Sequence, residues 1–120
     1  MQRTFVMVRV FDRKWDLAGL GDDSLRELQM ALLANPEEGE VIQGTHGVRK
    51  MRWALPGRGK SGGIRIFYVD FPQFEVLYLL TLLEKSEKAN LDRSERHGLG
   101  DLVVALERTL KASTAGGRRR

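Results

Sequence analysis

The chain has 120 residues, 42% of them hydrophobic and 30% charged, which bounds it to one globular domain of ordinary size. It contains no cysteine, so disulfides, thiolate metal sites and thiol nucleophiles are excluded. Residues 111–120 hold four of the 20 basic side chains and no acid, so the net charge of +4 comes from the tail and the rest balances 16 bases against 16 acids; any anion-binding surface must arise from local segregation.

The first 20 residues include Arg3, Arg9, Asp12, Arg13, Lys14 and Asp16, which leave no apolar core for a signal peptide. Residues 4–11, TFVMVRVF, read as an edge or half-buried strand, and 12–19 as a short helical turn capped by Asp12. Residues 22–35 read as a helix with Leu25, Leu28 and Leu32 on one stripe, a Ser24-x-x-Glu27 capping box and a stop before Pro36. A loop is expected over 36–47 and strands over 48–55, 64–71 and 74–85, the first two joined by the glycine-rich turn 56–63. The run VLYLLTLL at 76–83 is too short to cross a membrane and is apolar on both faces, as in a covered central strand. A last helix is expected over 92–113, opened by an Asp92-x-x-Glu95 box, with Leu99, Val103, Leu106 and Leu110 as its apolar stripe and Gly98 and Gly100 weakening its start. The order predicts an α+β fold: a small antiparallel sheet, made of an N-terminal strand plus a three-strand meander, with helices packed on it. Residues 1–113 are expected to form the single domain, and 114–120 a disordered basic tail. A cytoplasmic protein with no membrane partner is expected.

Charge is segregated along the chain. Residues 22–40 contain six acids and one base, whereas residues 48–69 contain six bases and no acid. The Gly59-Lys60-Ser61 triplet within the basic stretch is not a phosphate-binding P-loop, because Ala54 stands where the first glycine belongs and a strand, not a helix, follows. Strand alternation puts Lys50 and Arg52 on one face, opposite Met51, Trp53 and Leu55, and brings Arg65 beside them across the hairpin. Arg49, Arg58, Lys60, Tyr68 and Lys88 are the further candidates for nucleic-acid contact, and Lys85 closes the following strand. Six cations without an interspersed acid repel one another and call for an anionic partner. His46 and His97 lie far apart, the acids at 37–40 lack metal-ligand spacing, and Ser61 has no evident base, so a histidine-pair nuclease, a metal site and a serine hydrolase are all disfavoured.

The run NPEEGEVIQGTHGVRKMRWALPGRGKSGGIRIFYVDF, followed by YLLTLLEKSEKANLDRSE, resembles the RelE/ParE superfamily of bacterial toxins, in particular its HigB-like branch. Branch members often carry Tyr-Ala-Lys-Asn where this chain has Leu83-Glu84-Lys85-Ser86. The resemblance spans roughly residues 5–110 and implies a compact antiparallel sheet with helices on one side. It also implies a ribosome-dependent mRNA endonuclease held inactive by an antitoxin, of the helix-turn-helix, HigA-like kind, encoded next door. Mapped onto matching positions, the implied catalytic residues are Lys50, Arg52, Arg65 and Lys85, with no metal and no cofactor. A lysine acting as base must lose its proton, which neighbouring cations favour; Lys50 fits that role best and Lys85 the proton donor, although the sequence does not divide the two roles. Arg52 and Arg65 would hold phosphate charge by forked hydrogen bonds. A ParE-like gyrase poison, or a degenerate toxin that only binds its antitoxin, is the alternative.

Overall fold

The computed structural model of the protein describes residues 2–55, 63–84 and 90–117, with side chains as far as Ser113. Along the chain run β1 (Thr4–Met7), α1 (Arg9–Leu17), α2 (Asp22–Ala34), β2 (Glu40–Val41), β3 (Arg49–Trp53), β4 (Ile64–Phe71), β5 (Val76–Glu84) and α3 (Arg93–Gly117). The strands form one sheet in the order β1-β5-β4-β3-β2. Strand β4 has the bounds that its alternation and Pro72 predict, and a single 3-10 turn, Pro72–Phe74, leads into β5. Glu75 closes that turn in the left-handed region, at φ 56°.

The α+β class stands, with three differences in detail. First, β1 joins β5 in parallel, Thr4 opposite Val76 and Met7 opposite Leu79, so the sheet is mixed. A tight hairpin forces antiparallel pairing, but the long connection between these two strands leaves the direction free, and side-chain alternation carries no sign of it. Second, the first strand ends at Met7 and α1 begins at Arg9, two residues before Phe11. Phe11 and Trp15, spaced i,i+4, are both buried and stack at 5.5 Å between ring centroids. That helical spacing outweighs the β-branched alternation of Val6, Val8 and Val10, and Val10 is left 46% exposed. Asp12 therefore lies in the first turn of α1, not at its cap. Third, the helices cover both faces of the sheet.

The third difference follows from the apolar character of β4 and β5. Ile64, Ile66, Tyr68, Leu77, Leu79 and Leu82 point to one face, where Phe11 and Trp15 of α1 and Leu28 and Leu32 of α2 complete the core. Phe67, Val69, Phe71, Tyr78, Leu80 and Leu83 point to the other, where Leu91 and Val103 are buried and Leu99, Leu106 and Leu110 of α3 pack against them. One-sided cover would leave the second set in water, at about 1.5–3 kcal/mol for each large side chain. A bulge in the β4–β5 ladder, where Phe67 faces Thr81 but Tyr68 faces Leu79, adds the one residue needed to keep both faces in register.

The caps divide. Asp92 and Glu95 make the expected reciprocal box, each backbone N–H donating to the other's carboxylate at 2.9 and 2.8 Å. The Ser24–Glu27 box is not formed: α2 starts two residues earlier, at Asp22, with Gly21 as its cap, and the carboxylates of Asp22 and Asp23 sit in the first turn against the helix dipole. Gly100 serves packing, because a Cβ there would come within 3.3 Å of the Gly44 carbonyl and the His46 ring. Helix α3 continues to Gly117, beyond the expected domain end at 113.

At the far end of β4, Asp70 accepts two hydrogen bonds from Arg3, at 2.7 and 3.0 Å, with both side chains about one-tenth exposed. Beyond Leu79, no strand among the described residues pairs with the β1 side of β5. Helix α1 packs there instead, and the Lys14 ammonium donates to the Leu82 carbonyl at 3.0 Å. Among the described residues no helix is long and apolar enough to cross a membrane.

Candidate nucleic-acid interface

The register of β3 on β4 places the cations. Arg52 stands opposite Arg65, and Lys50 opposite Phe67. Directly opposed residues share a face, and Phe67 belongs to the core beneath α3, so Lys50, Arg52 and Arg65 all lie on the α3 side. Met51 and Ile66, one step along each strand, go to the opposite core. The three cations line one cavity of about 390 Å³ together with Glu38, Glu40 and Met51. Arg52 is exposed, and Lys50 and Arg65 are half-buried. Among the described residues, none of the three forms an ion pair with a carboxylate. Like charges placed directly across a strand pair are destabilising, so the Arg52–Arg65 step costs the empty fold and favours an anion bound across it.

Arg49 and Tyr68 were expected to join them in contacting nucleic acid. Arg49 points away from the cavity and donates to the carbonyls of Gly39, at 2.7 Å, and Glu37, at 3.4 Å. Tyr68, its cross-strand neighbour, is wholly buried. Its hydroxyl donates to the Pro36 carbonyl at 2.9 Å and accepts from the Gly39 N–H at 2.8 Å. Burial pushes the Tyr68 phenol above its ordinary value, against the opposing pull of the Gly39 hydrogen bond and the Arg49 charge. The expectation that Tyr68 contacts nucleic acid is therefore corrected: a ring with no accessible surface stacks on no base. Together Arg49 and Tyr68 hold the 36–39 segment against the sheet. Gly39 fits there because a Cβ would lie 2.8 Å from the Lys50 carbonyl oxygen. Arg58, Lys60, Lys85 and Lys88 lie outside the described residues.

That segment brings in residues the sequence reading set aside. Glu40 pairs with Lys50 across β2–β3, so a carboxylate stands on the cationic face. A two-residue strand is too short for alternation to reveal, and no local signal marks it. Asn90, forty residues from Lys50, accepts its ammonium at 3.3 Å through Oδ1. Next to it a second cavity, of about 190 Å³, is lined by Ile42, Lys50, Phe67, Asn90, Leu91 and Arg96. Arg96 donates one N–H to the Leu91 carbonyl at 2.9 Å. His46 and His97 are exposed, and His97 lies 3.6 Å from Asp101. Among the described residues no three His, Cys, Asp or Glu side chains are grouped so as to hold a metal ion.

No protein-family model matches the sequence. Among solved structures, the chain is similar to a mutant of the E. coli toxin RelE in the free state, with a TM-score of 0.50 and 17% identity over 69% of this chain and 83% of that one. The fold is thus RelE-like.

Proposed function

We propose that the protein is the toxin of a type II toxin–antitoxin pair, of the HigB-like branch, and that it cleaves mRNA on the ribosome. The observation that carries this reading is the convergence of Lys50, Arg52 and Arg65 on one cavity with no ion-pairing carboxylate among the described residues. The likeness of fold to a RelE toxin supports it.

In this reading the two arginines grip the non-bridging oxygens of one phosphodiester with forked hydrogen bonds and stabilise the extra charge of the pentavalent phosphorane. The 2′-oxygen attacks phosphorus and gives its proton to Lys50, whose amine Asn90 holds in place. The 5′-oxygen leaves with a proton from Lys85, and a cyclic phosphate remains on the upstream fragment. Side chains of this chain carry each proton transfer. The partner that silences the protein is an antitoxin of the helix-turn-helix, HigA-like kind, whose acidic segment would neutralise the same face.

Expression of the chain alone is expected to arrest growth, with new 5′ ends inside codons of translated transcripts by primer extension. Growth arrest with intact mRNA and double-strand DNA breaks would instead identify a gyrase poison. Co-expression with the adjacent gene is expected to give one complex on size exclusion; two separate peaks at micromolar concentration count against the partnership. One observation favours a binding-only protein as the second reading: Glu38 and Glu40 share the cavity and compete with RNA phosphate for its cations.

A further inference from the structure

Among the described residues four large apolar side chains are exposed, and three of them, Val10, Leu17 and Met30, stand on α1 and α2. Both helices bury their other sides on the same face of the sheet, through Phe11 and Trp15 of α1 and Leu28 and Leu32 of α2. Their outer sides therefore share one surface, on the side of the sheet away from α3. An exposed apolar residue by itself needs no explanation. What marks these three is the charge set around them.

On α1, Val10, Arg13 and Leu17 are three and four residues apart and form one exposed stripe, with Arg9 a turn before Arg13. Lys14 beside them is engaged by the Leu82 carbonyl, and the 3.6-residue period carries Asp12 and Asp16 round the helix from Val10 and Leu17. On α2, Asp23, Glu27, Met30 and Ala34 have the same kind of spacing and are all exposed, across the helix from Leu28 and Leu32. Arg26 lies 3.7 Å from Asp23, but among the described residues Arg9, Arg13 and Glu27 form no ion pair. One stripe is thus basic beside Leu17 and the other acidic beside Met30.

The two stripes complement each other, yet both belong to one surface of one molecule. A two-fold axis through that surface lays α1 of one copy on α2 of another and makes the same contact twice. A different partner would have to present acid to α1 and base to α2 side by side, which a second copy does by symmetry. We propose that the outer face of α1 and α2 is a homodimer interface, in which Arg13 and Leu17 of each copy meet Glu27 and Met30 of the other. The inference goes beyond the RNA-cleaving reading and is tested without it: Lys50, Arg52 and Arg65 lie on the α3 side, so both cavities stay open in the dimer.

A contact of two helices is at the small end of specific interfaces, so the whole protein is sedimented to equilibrium at up to about 200 µM. The wild-type chain is expected to approach twice the monomer mass of 13.6 kDa. Arg13→Glu sets acid against acid in each contact and Glu27→Arg sets base against base, so each variant alone is expected to self-associate at least about tenfold more weakly. Mixed in equal amounts, the two variants are expected to pair with each other at wild-type strength, because in the hybrid both contacts join unlike charges. Leu17→Gln, at the apolar centre, is expected to weaken the dimer as well. All three positions are exposed, so circular dichroism and the thermal midpoint at low concentration should match the wild type. A wild-type monomer at the highest concentration, a dimer indifferent to both charge reversals, or a mixture of folded variants that stays monomeric would each overturn the interface. A wild-type monomer whose α1–α2 face is covered only in complex with the product of the adjacent gene would give the surface to that protein and overturn it too.

Discussion

Strand β4 carries charge near both ends, and the two ends are treated oppositely. Near its close, Asp70 is bound by Arg3 in a nearly buried, two-point ion pair. Near its start, Arg65 faces Arg52 and no carboxylate pairs with either among the described residues. The Asp70 hydrogen bonds and charge raise the Arg3 guanidinium further above its already high ordinary value, which fixes it as a cation. A charge kept for the fold is satisfied within the chain. A charge left facing its like is a standing cost, which a ligand can repay.

Four substitutions break or sharpen that contrast. Arg65→Ala is expected to lower cleavage roughly a hundredfold, on the order of 3 kcal/mol of lost transition-state stabilisation, while the unfolding midpoint in urea hardly moves. A folded Arg65→Ala protein of full toxicity removes Arg65 from the site. Asp70→Ala should act in the opposite way, losing about 3 kcal/mol of stability because Arg3 stays buried without its partner. Its thermal midpoint should fall and the chemistry of the surviving folded fraction should not change.

Tyr68→Phe leaves the Pro36 carbonyl and the Gly39 N–H without their buried partner, at about 1–2 kcal/mol. It also tests the phenol. Because burial raises the Tyr68 phenol in the folded state, the unfolded chain ionises first, near pH 10. Wild-type stability is then complete below that pH and declines as pH rises above it. Urea unfolding at pH 8 and pH 11 should show a smaller alkaline loss in Tyr68→Phe; an identical loss would acquit the phenol. The smallest effect is expected from Arg52→Thr, a gain of about 0.5 kcal/mol at low salt from relief of the facing arginines, with RNA binding weakened. If stability falls instead, the opposition carries no cost.

Much of the basic face could be read from period two alone. Lys50, Arg52 and Arg65 alternate with core residues, and antiparallel pairing of two consecutive strands is enough to bring them to one face. The bounds of β4 and the α3 capping box are equally local and equally legible. What escaped reading was non-local. Tyr68 in a strand fits a core or a platform with the same pattern, and only Pro36 and Gly39 decide between them. Asn90 and Glu40 reach the cavity through tertiary packing and a two-residue strand. The apolar character of β5 on both faces pointed to double cover, but the one-sided layout implied by the resemblance hid it.

The uncovered half of β5 has a consequence for the protein's solubility. A row of free backbone groups on a strand edge is a template to which any extended chain can hydrogen-bond, and apolar strands such as this one are the most hazardous. Here α1 lies along the edge, and Lys14 occupies the carbonyl of Leu82 with a charged group that an incoming strand must displace and leave desolvated. Together the helix and its ammonium block this half of β5 as a place for a further strand to pair.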